Sequence, residues 1–61
     1  MSEVTIHLIS GKDIQYESSK SKDELKNFYE HSLKESDIIT LNLEGSKFIV
    51  KINNIEYVEI K

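Results

Sequence analysis

One stretch of this chain, Leu25 to Leu33, repeats its apolar residues with the period of a helix, and most of the rest alternates with the period of a strand. That contrast limits the fold more than any other feature. A single amphipathic helix shelters one face of a sheet. Apolar residues on the other face need a second cover or must meet water.

The helix is well signalled at its N-terminal end. Ser21 followed by Glu24 is a capping box: the hydroxyl accepts from an orphan amide, and the carboxylate accepts from the cap amide. Asp23 and Glu24 also suit the positive first turn. Leu25, Phe28, Tyr29 and Leu33 fall at i, i+3, i+4 and i+8 and make one stripe, with Lys26, Asn27, Glu30 and Lys34 on the other side. The pattern predicts a helix from about Lys22 to Glu35.

Before the helix, Val4, Ile6 and Leu8 alternate with Glu3, Thr5 and His7, and Ile14 and Tyr16 resume the alternation after "SGKD". A three-residue loop, Ser10 to Lys12, sets Leu8 opposite Ile14 and Ile6 opposite Tyr16, which joins the apolar sets. It leaves Gly11 in mid-loop, whereas the common three-residue hairpin places Gly last. After the helix, Ile39, Leu41 and Leu43 alternate with Ile38, Thr40 and Asn42. With Gly45-Ser46 as a two-residue loop, Glu44 faces Lys47, Leu43 faces Phe48, Leu41 faces Val50 and Ile39 faces Ile52. Asn53-Asn54 is a further turn signal, because Asn tolerates positive φ. A tight hairpin there sets Val50 opposite Tyr57 and Ile49 opposite Val58 in the last strand, "IEYVEI".

The expected order is β-β-α-β-β-β, a single α+β domain over residues 1–61 with one amphipathic helix packed on a small antiparallel sheet. Its expected core is Val4, Ile6, Leu8, Ile14, Tyr16, Leu25, Phe28, Tyr29, Leu33, Ile39, Leu41, Leu43, Phe48, Val50 and Ile52. Opposite it lie Ile9, Ile38, Ile49, Val58 and Ile60. Three covers are open for this second face. The sheet curls and the last strand closes a small barrel; or two copies dimerise, sheet to sheet through these five residues or edge to edge; or a separate protein binds there.

Size and composition bear on that choice. A domain of 61 residues buries only about 60% of its unfolded surface and sits near the limit of independent stability. With no Cys, disulfides and thiolate metal sites are excluded and oligomerisation is the aid left open. A Cys-free chain also fits a reducing cytoplasm. No stretch reaches the length of a membrane span, and "MSEVTIHLIS" lacks the basic and apolar regions of a signal peptide. All basic residues are Lys and the net charge is −3, which weighs against direct nucleic-acid binding. The bias toward Ile, Lys, Glu, Asn and Ser points to an AT-rich bacterial or phage genome.

Nothing in the sequence carries a recognisable chemistry. His7 and His31 lie in different elements with no ligand spacing around them, so no metal or other cofactor is expected. Glu56 and Glu59, three apart in a strand, point to opposite faces and do not form an acid–base pair. No nucleophile motif is present, and the glycines read as turn residues rather than a phosphate cradle. The expected role is non-enzymatic. The acidic residues Glu3, Asp13, Glu17, Glu44, Glu56 and Glu59 are spread over loops and strand ends; they confer solubility or imitate DNA phosphates.

The segments "VTIHL", "GKDIQYE", "SKDELKNFYE" and "DIITLNLE" together resemble, in order and pattern, the small phage inhibitors of uracil-DNA glycosylase. The resemblance covers Val4 to Glu44. It implies a homodimer that imitates DNA and blocks the DNA-binding groove of an enzyme. Carried over by position, Glu17 matches an enzyme-facing carboxylate and Tyr29 an aromatic at the helix. Leu25 stands where the family has Phe, and Lys26 where it has Glu. Glu17, Leu25 and Tyr29 are the contacts that this resemblance implies.

Overall fold

The computed structural model describes residues 1–61 and has the expected element order. Strands β1 (Ser2–Leu8) and β2 (Asp13–Ser18) precede helix α1 (Lys22–Glu35). Strands β3 (Ile38–Leu43) and β4 (Ser46–Lys51) follow, then a short 3-10 turn (Ile52–Asn54), then β5 (Ile55–Ile60). The class is α+β with every strand pair antiparallel. The strands form two sheets, one of order β2-β1-β5 and a separate β3-β4 hairpin, and they do not close into a barrel.

The helix has the bounds its sequence predicts. The Ser21 side chain accepts from the Glu24 amide at 3.2 Å, and the Glu24 carboxylate accepts from the Ser21 amide at 3.3 Å. Its buried face is narrower than the apolar stripe. Leu25 and Tyr29 are 3% exposed, whereas Phe28 is 43% exposed and Leu33 is also outside the core. Ser32, three residues after Tyr29, is buried on the same face instead.

Both hairpin registers differ from expectation by two residues, so each side chain keeps its face while its partner changes. In the first, Ile6 faces Ile14 and Val4 faces Tyr16. The loop is Ile9 to Gly11, closed by the Leu8 amide donating to the Lys12 carbonyl at 3.0 Å. Gly11 is then the last loop residue, at φ +92°, where the three-residue hairpin demands a left-handed conformation. In the second, Ile39 faces Val50, Leu41 faces Phe48 and Leu43 faces Ser46. The two-residue loop is Glu44-Gly45, with φ of 49° and 82°. Positive φ at both central residues is the twist-matched hairpin turn, and Gly45 meets it without strain. Glu44 is therefore a turn residue rather than the cross-strand partner of Lys47.

The larger correction concerns the last strand. β5 does not form a hairpin with β4, so neither Val50 with Tyr57 nor Ile49 with Val58 is paired. The 3-10 turn carries the chain across instead. It is held by the Ile52 amide donating to the Asp37 carbonyl and the Ile9 amide donating to the Asn54 carbonyl, both at 2.9 Å. β5 then pairs with the free side of β1, setting Val4 opposite Ile60 and Ile6 opposite Val58. Between His7 and Leu8 the register slips, so that Leu8 faces Ile55 and Glu56 is the extra residue of a bulge. The bulge reconciles the uneven spacing of "IEYVEI". It brings Ile55 to the core side that Val58 and Ile60 already share, where all three pack against the buried cluster.

That cluster is Val4, Ile6, Leu25, Tyr29, Ile39 and Leu41, with Val50 also buried. Leu8, Ile14, Tyr16, Leu43 and Ile52 pack at its margin as expected. Phe28, Leu33 and Phe48 do not join it, and Ile55, Val58 and Ile60 do.

Candidate functional site

Strand β2 has no neighbour on its outer side. Beyond it the hairpin diverges from the three-stranded sheet, and the gap is an open cleft of about 960 Å³. Its apolar floor is Ile14 and Tyr16 from β2, Leu43 and Phe48 from the hairpin, and Val4. Its rim carries Glu3, Asp13, Glu17 and Glu44, and no Lys lines it.

The carboxylates are unevenly compensated. Asp13 Oδ1 lies 3.0 Å from His7 Nδ1. Glu3, Glu17 and Glu44 make no ion pair; the other ion pairs are His7–Glu59, Lys26–Glu30 and Lys61–Glu59. Glu3 and Glu17 face each other directly across β1 and β2. Like charges so placed oppose the pairing. The floor is held from below, where the Tyr16 and Tyr29 hydroxyls hydrogen-bond each other and tie β2 to the helix. Burial, and then the Tyr16 hydroxyl, push the Tyr29 phenol far above its ordinary range, so it stays neutral.

The outer face of the three-stranded sheet is polar. His7 is half-buried there between Asp13 and Glu59, with Nε2 3.5 Å from the Glu59 carboxylate. Its ring stacks on Tyr57 at 4.2 Å between centroids. The register places acids from both neighbouring strands beside this imidazole, which spacing along the chain does not show. No three His, Asp or Glu side chains converge to hold a metal ion.

The five residues expected on a common second face are dispersed. Val58 and Ile60 pack on the core because β5 pairs with β1, which sets them opposite Ile6 and Val4. Ile9 lies in the β1–β2 loop and is exposed. Only Ile38 and Ile49 share a surface, diagonally placed on the outer face of the hairpin, with Ile49 70% exposed. Thr40, Asn42, Lys47 and Lys51 surround them on that face. Of the three contacts that the family resemblance implies, Glu17 stands exposed on the cleft rim. Leu25 and Tyr29 are core residues and offer no surface to a partner.

The cleft itself is not foreshadowed in the sequence. Leu43 and Phe48 alternate like core residues, and nothing local states that the hairpin leans away from β2. No helix is long and apolar enough to cross a membrane. Compared with known proteins, the chain matches no family model, and no curated protein or solved structure matches it significantly.

Proposed function

We propose that this chain is a small non-enzymatic protein-interaction domain that binds its partner in the cleft between β2 and the β3-β4 hairpin. The observation that carries this reading is the pairing of an apolar floor, open to water at Phe48, with a rim on which Glu3, Glu17 and Glu44 make no ion pair. Apolar floors with a few polar groups are the usual form of a binding site. A cytoplasmic setting belongs to the same proposal and rests on the Cys-free composition.

The test is a selection of peptides displayed on phage, run in parallel on the protein and on Phe48→Asp, with the fold of each checked by circular dichroism. Ligands that hold the parent and lose at least about tenfold in affinity for Phe48→Asp support the reading, a loss equivalent to about 1.4 kcal/mol. Ligands indifferent to Phe48, or no ligands at all, overturn it.

Self-association has narrower support, namely Ile38 and Ile49 on the hairpin's outer face. If it operates there, Ile49→Lys converts a concentration-dependent sedimentation coefficient into a constant one. A second reading is favoured by the run of rim carboxylates. They suit a DNA-mimicking inhibitor of a DNA-binding enzyme, with Glu17 at the contact. Stoichiometric inhibition of uracil-DNA glycosylase, lost in Glu17→Lys, is the outcome that reading requires.

A further inference from the structure

The ladder between β1 and its neighbours settles which way the main chain of β2 points. The Glu3 amide donates to the Lys61 carbonyl at 3.0 Å, and the Lys61 amide donates to the Glu3 carbonyl at 2.8 Å. Both Glu3 groups therefore point to the β5 side, and its pair with Glu17 across β2 is a non-hydrogen-bonded one. Every second pair follows suit, so Thr5–Gln15 and His7–Asp13 are of the same kind. The Leu8–Lys12 bond agrees with this phase. The amides and carbonyls of Asp13, Gln15 and Glu17 thus point outward from the free edge of β2, into the cleft.

We infer that this edge receives an extended segment of another protein as an additional β-strand, and that the segment alternates Lys or Arg with apolar residues. This rests on the interaction-domain reading above and deepens it. The alternation follows from β2 itself. Lys61 stands opposite Glu3 on the β5 side, but Glu17 has no strand neighbour on its outer side; the added strand's outward side chains fall beside Asp13 and Glu17, where a cation offsets the Glu3–Glu17 opposition. Its inward side chains fall beside Ile14, Tyr16 and Phe48 on the cleft floor. Main-chain hydrogen bonds then supply affinity, and alternate side chains supply selectivity. A second copy of β2 is the wrong partner. Pairing it here sets Asp13 and Glu17 against acids of the same strand, in a chain of net charge −3. Charged edges of this kind are a known guard against self-pairing.

The probe is the acetylated, amidated heptapeptide Lys-Val-Lys-Val-Lys-Val-Lys, titrated into nitrogen-15-labelled protein and followed by NMR. The amides of Asp13, Gln15 and Glu17 are expected to shift and to exchange more slowly with solvent. N-methylation of the peptide on its pairing edge should weaken binding by about tenfold, the effect of losing directed hydrogen bonds. A Glu-Val peptide of the same length should not bind. Gln15→Pro removes an outward amide that β1 does not use, and it should also abolish binding. If that variant misfolds, Glu17→Lys serves instead and should weaken binding and flatten its salt dependence. Four outcomes overturn the inference: equal affinity for the N-methylated peptide, equal affinity for the Glu-Val peptide, shifts mapping elsewhere, and edge amides that become protected in concentrated protein alone. Selected ligands that need Phe48 but bind without strand pairing overturn this inference and leave the interaction-domain reading intact.

Discussion

The three-stranded sheet and the hairpin are built from similar alternating segments, yet they are held very differently. β1 is paired on both sides, and its Val4 and Ile6 are fully buried. The hairpin is paired only with itself, and it leaves Ile38 and Phe48 nearly half exposed and Ile49 largely in water. An isolated two-stranded hairpin is marginal in water. This one depends on Ile39, Leu41 and Val50 packing inward and on the Asp37–Ile52 hydrogen bond at its base. Strand pattern alone therefore does not give a strand its anchorage. A strand gains it from neighbours on both edges and a cover on one face.

Truncation of one side chain in each region should give the largest difference. Ile6→Ala should cost about 3–4 kcal/mol, the usual loss for a fully buried Ile. That is a large part of the roughly 3–9 kcal/mol available to a domain of this size. Phe48→Ala should cost only about 1–2 kcal/mol, because much of the ring is already solvated. Urea denaturation measures both. Equal costs would mean that the hairpin is as integral as β1, and the contrast would fail.

The second test concerns the joint between helix and sheet. The folded protein keeps the Tyr29 proton, while the unfolded chain releases it near the ordinary value of 10.0. Raising the pH past that value therefore favours the unfolded state. Stability should fall by up to about 1.4 kcal/mol per pH unit there. Tyr29→Phe should remove that slope. At neutral pH it should cost about 1 kcal/mol through the lost bond to Tyr16. An unchanged alkaline slope in the variant would detach Tyr29 from the effect.

The smallest effect is expected in the hairpin turn. Glu44 holds φ of 49° in the hairpin turn, a conformation that Asn tolerates far better. Glu44→Asn should stabilise the protein by about 0.5–1 kcal/mol. The gain should appear as slower hydrogen exchange across β3 and β4, with β1 unaffected. Uniform slowing in both regions would mean that they open as one unit.

Signals that act over a few residues were readable, and those that act across the chain were not. The capping box and the spacing of Leu25 and Tyr29 define the helix because each partner lies within a turn or two. Alternation gave β1 to β4 their correct faces, but period two leaves register free by even steps. The turn glycines settle it, by requiring Gly11 last and Gly45 second in their loops. The place of β5 depends on the Glu56 bulge and on a crossover through Ile52–Asn54. The one hint was that Ile55, Val58 and Ile60 break strict alternation. The cleft was illegible for a different reason. It arises where two sheets part company, and no residue in either encodes the angle.

Of the three strands in the β2-β1-β5 sheet, the first to be synthesised is the middle one, and the third completes it only after the helix and the hairpin: Val4 meets Ile60. Such a domain cannot mature piecemeal during synthesis. Until Ile55–Ile60 emerges, β1 has an open flank, and the nascent chain waits with its most deeply buried strand paired on one side only. Closing that long-range contact is a slow step by its topology, which makes the interval before it the moment when this molecule is most exposed to misassembly.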